Sequence, residues 1–430
     1  MQAVVRHTLP NGLLVLLKED HSAPIISHWV WYRVGSRDEV PGKTGISHWV
    51  EHMQFKGTRK YPAGVLDKAV SREGGFWNAF TYLDWTTYFE TMPAHKIELA
   101  LQLEADRMEN SLFDQNEVES ERTVIISERQ GNENEPMFRL SEEVQAAAFR
   151  VHNYHHEVIG DMADLLTIQR EELYEHYRSY YRPNNAVIAV AGDFKLEWML
   201  DQIASLYAAV SPGKTPARFV RLEPAQQGER RVVVEGPGET TFIRIVYKAP
   251  AASDPEFFPL MVLDSLLSGA TNLDFFGQGI SNKTSRLYRA LVEGELAVSI
   301  HGGLQATIDP FLHTFTAVVH PQSSADEVVR TLDEVIARTQ DEPPEPEELK
   351  RAVKQAHALF AYGNERITNQ AFWLGFSEMF SDYSWHEQYL ARLEAVTPAD
   401  VQRAAQVYLR PQNRVLGLYL PKGAGARAEA

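Results

Sequence analysis

Residues 168–190 read IQREELYEHYRSYYRPNNAVIAV, and residues 396–418 read VTPADVQRAAQVYLRPQNRVLGL. Each is an amphipathic helical stretch, then Tyr-x-Arg-Pro-x-Asn, then an apolar run suited to a central strand. Proline stops the helix, because it has no N–H to donate and restricts the residue before it. Arg182-Pro183 and Arg410-Pro411 are 228 residues apart, close to half of the 430-residue chain. A repeat of that period implies a duplicated domain rather than a solenoid. Turn-rich residues place the linker at 213–230, between domains at 1–212 and 231–423, and the small, charged residues 424–430 read as a flexible tail.

Working outward from the repeat, each half mixes strands with amphipathic helices. In the first half the pattern predicts strands near 3–8, 13–19, 25–33 and 85–91. Helices are predicted near 44–55, 95–111, 115–132, 139–149 and 170–180. In the second half, strands are predicted near 231–236, 241–248, 298–305 and 311–319. Its helices fall near 256–268, 284–292, 323–338, 346–365 and 398–408. Strands joined by short turns, with helices gathered between them, give an α+β fold: two homologous domains, each an antiparallel β-sheet covered by helices. Phe360, Phe372, Phe376 and Phe380 recur near helical spacing and read as core.

Composition narrows the function classes. The chain is 44% hydrophobic and 23% charged, with a formal net charge of −16. Such a charge argues against a nucleic-acid binder or a partner of anionic membrane surfaces. There is no cysteine, which excludes disulfides, thiolate metal sites and cysteine nucleophiles, so any metal must be held by histidine and carboxylate. Leu13 to Leu17 is a short apolar run between a Pro10-Asn11-Gly12 turn and Lys18-Glu19-Asp20, the mark of a hairpin strand and not of a secretory signal. No run approaches the ~20 apolar residues of a membrane helix. These readings predict a cytoplasmic protein.

His48-Trp49-Val50-Glu51-His52 carries the chemistry. On a helix, positions i, i+3 and i+4 share a face, so two imidazoles and a carboxylate converge. Imidazole suits zinc, and a carboxylate beside it can act as general base. His-x-x-Glu-His is the order of the inverted zinc peptidases. Zinc also needs a third protein ligand, and the glutamate-rich stretch 117–128 offers Glu121 and Glu128, two helical turns apart with Val124 and Ile125 on the same side. Spacing alone supports a solvated glutamate-rich helix equally well.

The chain resembles the pitrilysin family of zinc peptidases, in the branch of mitochondrial processing peptidase and its bacterial relatives. The resemblance rests on GISHWVEHMQFKGT at 45–58, GGFWNAFTYLDWTTYFET at 74–91, the Arg182-Pro183-Asn184-Asn185 and Gly192-Asp193 steps, and a glutamate, Glu128, separated from His52 by 75 residues. It implies one Zn2+ per chain, held by His48, His52 and Glu128, with Glu51 as general base. Glu121, seven residues before the ligand, would hold a ligand or the water. Asn78 and Ala79 would lie on an edge strand and align an extended peptide by strand addition. The activity implied is that of a zinc endopeptidase acting on short or unfolded peptides in an enclosed chamber.

Family members or their partner subunits also carry an arginine and a tyrosine in the second domain. Aligned on Glu295-Leu296-Ala297, those places are taken by Leu291 and Val298, with Arg286, Tyr288 and Arg289 nearby as helix-surface residues. This departure predicts a heterodimer in which a homologous subunit, or a second copy of the chain, supplies the pair. The competing reading is a non-catalytic structural subunit of a processing-peptidase-like complex. His152, Tyr154, His155 and His156 read as loop residues, and Gly277-Gln278-Gly279 is too short for a phosphate-binding signature.

Overall fold

The Pro10-Asn11-Gly12 turn folds β1 (Val5–Thr8) antiparallel onto β2 (Leu14–Glu19), pairing Val5 with Leu17 and Thr8 with Leu14. The computed structural model describes residues 3–214, 218, 221–273 and 281–422. The expected tail at 424–430, the Gly277-Gln278-Gly279 step and part of the 213–230 linker lie outside the described residues.

The first sheet continues with β3 (Ile25–Tyr32), β4 (Phe76–Thr81), β5 (Thr86–Pro93) and β6 (Ala186–Gly192), in the order β1-β2-β6-β3-β5-β4. The second holds β7 (Arg230–Gly236), β8 (Phe242–Lys248), β9 (Ala297–Gly303), β10 (Leu312–Val319) and β11 (Arg414–Pro421), in the order β7-β11-β8-β10-β9. Leaving β1 aside, the two orders are the same. The repeated Arg-Pro-x-Asn stretches feed equivalent strands: β6 and β11 each run parallel to the first strand of the shared order and antiparallel to the next. Each sheet is therefore antiparallel except for one parallel pair. The helices Arg170–Tyr180 and Pro398–Tyr408 precede those strands and make the return crossing that a parallel pair requires.

The helices that follow β3 in the first half include α1 (Ile46–Met53), α2 (Val65–Arg72), α3 (Ile97–Asn110), α4 (Gln115–Glu133) and α5 (Pro136–Ala148). Periodicity missed α2, β4 and the helix Leu196–Tyr207. The segment expected as helix at 284–292 becomes a π-helical turn at Tyr288–Val292.

Packing divides the chain differently from a single cut at 213–230. One compact unit comprises residues 1–130, 156–221 and 364–386; the other comprises 131–155, 222–363 and 387–430. Helix α5 comes from the first half yet packs on β7, β8 and β11, while the helix Ile367–Phe380 comes from the second half yet packs on β3 and β6. The reason is apolar surface. Ile367–Phe380 is buried at almost every position, so it needs a core on all sides. It finds one in Trp29 and Trp31 of β3, whose rings lie 5.5 and 5.4 Å from Phe372. A Cβ at Gly375 would fall 2.0 Å from Trp31 Nε1, so only glycine allows the helix to sit this close. No helix among the described residues is long and apolar enough to cross a membrane.

Candidate metal centre

Helix α1 begins at Gly45, whose φ of 84° suits glycine, and its first turn is closed by a distant carboxylate. Glu39 accepts from the backbone N–H groups of Gly45 and Ser47, each at 2.9 Å, while Ser47 Oγ donates to Gly35 O at 3.1 Å. These bonds satisfy donors that a helix start otherwise leaves open. Burial pushes Glu39 up to about 8, against the pull of its backbone hydrogen bonds. Trp49, Val50 and Met53 are completely buried and fasten the apolar side of α1, with the Arg122 guanidinium lying 4.7 Å from the centre of the Trp49 ring.

The polar side of α1 then faces α4. Glu121 and Glu128 both reach it, as their two-turn spacing allows, but they do different things. The ligand-capable atoms of His48, His52 and Glu128 lie within 4.8 Å of one another. Glu128 Oε2 is 3.7 Å from His52 Nε2 and 4.0 Å from His48 Nε2. Glu121 instead stands behind the cluster, with Oε1 2.8 Å from His52 Nδ1 and an ion pair to Lys56. A proton on Nδ1 of His52 leaves Nε2 as the free lone pair, directed to the Glu128 side. Between the two glutamates, Ile125 is buried as expected, but Val124 turns outward and is 48% exposed. Arg129, next to Glu128, is buried and donates to Gly160 O at 2.9 Å, which steadies α4 beside the cluster.

Electrostatics suit a cation. Burial, and then the neighbouring His52, lower His48 to about 3, so its imidazole is neutral. Burial works against protonation of His52 too, but the Glu121 hydrogen bond and the surrounding carboxylates raise it overall. Burial also opposes ionisation of Glu121, yet His52 and Lys56 hold it below the ordinary carboxylate range. Two imidazoles and one carboxylate form a donor set that zinc favours, and ligand atoms around a tetrahedral zinc sit about 3.3 Å apart. The observed 3.7 and 4.0 Å separations need only slight contraction, so the residues fit the metal.

Glu51 lies on the same face of α1, 7% exposed, and Thr81 Oγ1 donates to its Oε2 at 2.6 Å. Burial pushes Glu51 up to about 7, where a carboxylate can both accept and release a proton near neutrality. Thr81 ends β4, which is the edge strand of its sheet. Asn78 and Ala79 lie in the middle of β4; Asn78 is exposed, Ala79 is buried, and the Ala79 N–H donates to Asn78 Oδ1 at 2.9 Å. Sequence reasoning missed Thr81, Glu39, Lys56 and Arg129. Thr81 had one usable signal, its place two residues beyond Ala79 on the same face of a strand.

The remaining candidates are engaged by other groups. Leu291 is fully buried, and Val298 on β9 is 57% exposed. Arg286 pairs with Glu348 through two hydrogen bonds of 2.8 and 2.6 Å and donates to Thr339 Oγ1, so it is held within its own unit. Tyr288 is half-buried and Arg289 exposed. His152 meets Asp309 at 3.1 Å, His155 turns to the His152 carbonyl, and His156 lies between the Glu157 carbonyl and Glu39, whose carboxylate is 3.7 Å from its Nε2. His152 also accepts from the Tyr154 N–H at 3.1 Å, so it serves the loop around Tyr154.

The family described as insulinase (peptidase family M16) matches residues 14–162, and the one described as peptidase M16 inactive domain matches residues 167–356. A probable mitochondrial-processing peptidase subunit beta of Arabidopsis thaliana is 30% identical over 295 residues, which is 68% of this chain and 55% of that protein. The chain thus spans little more than half of the plant protein. An uncharacterized zinc protease of Streptomyces coelicolor is 27% identical over 431 residues, covering 96% of this chain and 89% of that one. The crystal structure of a protease from Helicobacter pylori superposes with a TM-score of 0.91 at 26% identity, over 98% of this chain and all of that one.

Proposed function

The chain belongs to the peptidase M16 family, and from that premise we propose that it is a zinc-dependent endopeptidase acting on short or unfolded peptides. The observation that carries the proposal is the convergence of His48, His52 and Glu128 with Glu51 beside them on α1. His48, His52 and Glu128 would hold one zinc ion. When bound there, zinc supplies Lewis acidity, lowering the pKa of water and polarising a carbonyl. Glu51 takes the proton from the attacking water and returns it to the departing amine, a role suited to a buried carboxylate that titrates near neutrality. Thr81 orients the Glu51 carboxylate, and Glu121 orients His52 through Nδ1. Asn78 and Ala79 align an extended peptide along the free edge of β4, whose backbone groups provide sequence-independent affinity.

The partner follows from the second half. With Leu291 buried, Val298 apolar and Arg286 engaged by Glu348, this chain offers no free arginine–tyrosine pair at those positions. The active species is therefore a heterodimer with a homologous subunit that supplies the pair, and the two together enclose the peptide. A purely structural subunit would have no use for the intact His48, Glu51, His52 and Glu128 set, which favours the catalytic reading.

The test is zinc content together with cleavage of a quenched, unstructured peptide by the chain, with and without its partner. We expect one zinc per chain, and Glu51→Gln should retain the metal while losing at least about a thousandfold in kcat. A folded chain that takes up no zinc would overturn the proposal. Full activity of the purified chain alone would overturn only the heterodimer.

A further inference from the structure

Strand β4 has two faces, and only one serves the metal centre. Trp77, Ala79 and Thr81 point to the α1 side: Trp77 lies against Phe55 with ring centres 4.7 Å apart, and Thr81 bonds Glu51. Phe76, Asn78 and Phe80 alternate with them and point the other way. On that face Phe89 of β5, paired with Asn78, lies between the two outer rings, 5.6 Å from Phe76 and 6.1 Å from Phe80, and is itself stacked on Trp29 at 4.0 Å. Phe89 is buried, Phe80 is half-buried, and Phe76 is 59% exposed. The result is a shelf at the sheet edge that reads aromatic, polar, aromatic from Phe76 to Phe80. The helix Ile367–Phe380 packs chiefly over β3 and β6 of this sheet.

A peptide added to the free edge of β4 must send alternate side chains to this face, because strand side chains have a period of two. Ala79 fixes which edge is meant: its N–H bonds the Asn78 side chain rather than β5, so it points off the sheet toward an added strand. We propose that Phe76, Asn78 and Phe80 are specificity-determining residues. They select peptides with large apolar or aromatic side chains four positions apart, opposite Phe76 and Phe80, and a small polar residue between them opposite Asn78. Since Thr81 bonds Glu51, the Phe80 position lies next to the scissile bond and the Phe76 position is more remote. This inference rests on the peptidase reading for its occupant, the substrate strand.

The test uses two labelled peptides that differ only at the remote position, phenylalanine against serine. Binding is measured by fluorescence anisotropy on the full-length Glu51→Gln chain, alone and together with its partner subunit, with and without Phe76→Ser, in the presence of zinc. Phe76 is mostly exposed, so Phe76→Ser should leave the fold intact, and Phe76→Leu serves as the conservative rescue. The expected result is a preference for the phenylalanine peptide of about fivefold or more, lost in Phe76→Ser and largely restored in Phe76→Leu. Equal binding of the two peptides, or an unchanged preference in Phe76→Ser, overturns the inference and leaves the peptidase reading standing. The peptidase reading is judged separately by zinc content and by cleavage with Glu51 intact. Absence of binding by either peptide overturns the shelf together with the strand-addition step on which it depends.

Discussion

Helix α1 and the helix Phe257–Ser268 hold equivalent places in the two halves, each following the third strand of the shared order, β3 or β8, and they use similar chemical groups in opposite ways. In the first unit, the ligand-capable atoms of His48, His52 and Glu128 converge within 4.8 Å of one another, and Glu128 is 43% exposed. In the second, Asp264 is sealed inside: its Oδ1 meets His313 Nε2 at 2.8 Å and accepts from Ser268 Oγ at 2.9 Å, while Oδ2 accepts from Thr271 Oγ1 at 3.2 Å. All twelve residues of Phe257–Ser268 are buried. A histidine and a carboxylate therefore do not make a site by themselves. What distinguishes the first cluster is that its ligand-capable atoms face one another in a partly exposed place, whereas Asp264 is tied into hydrogen bonds in a closed interior.

The sharpest way to break this comparison is to remove one member from each cluster. His48→Ala should lower zinc affinity by well over a hundredfold, beyond what loss of a supporting residue causes, and change chemical stability little. Equilibrium dialysis with zinc reads the first effect and denaturant unfolding the second. Asp264→Ala should do the reverse. It strands the fully buried His313 ring and should cost about 3 kcal/mol, with zinc affinity unchanged. If Asp264→Ala released zinc, the two clusters would be coupled and the contrast would fail.

Acid should act on the first unit by a smaller amount per residue. Burial lowers His28 to about 4 and His386 to about 3, the latter helped by the charge of Lys18. Between those values and the ordinary histidine pKa, the unfolded chain binds protons that the folded chain does not. The stability that comes from keeping each ring neutral is thus present at neutral pH and lost as pH falls below about 6.5, roughly 2 kcal/mol per histidine by pH 4.5. Hydrogen exchange at pH 7 and 4.5, corrected for intrinsic rates, should show β3 and the helix Ile367–Phe380 losing protection. Earlier loss in β8 and β10 would contradict this assignment.

Much of the architecture was legible because its signals are local. The Arg-Pro-x-Asn stops, the alternation of the central strands and the i, i+3, i+4 spacing of His48, Glu51 and His52 each lie within a few residues. Strand β4 was hidden because Phe76, Trp77 and Phe80 put aromatic rings on both faces and erase the alternation. Spacing could not separate Glu121 from Glu128, since both lie on the same stripe of α4. Only the position of α1 makes one approach Nε2 of His52 and the other Nδ1. Glu39 was invisible for another reason: it caps α1 from an irregular segment six residues before Gly45, outside any capping pattern.

The exchange of α5 and Ile367–Phe380 between the halves bears on how the chain is made. The first sheet contains the first strands to leave the ribosome, yet its aromatic face at Trp29 and Trp31 is covered by a helix that emerges more than three hundred residues later. Until then the nascent first half carries an open apolar surface of the kind that recruits holding chaperones or invites aggregation. Biosynthesis of this protein is therefore a single transaction: neither half can be completed, inherited or replaced as a finished module without the other.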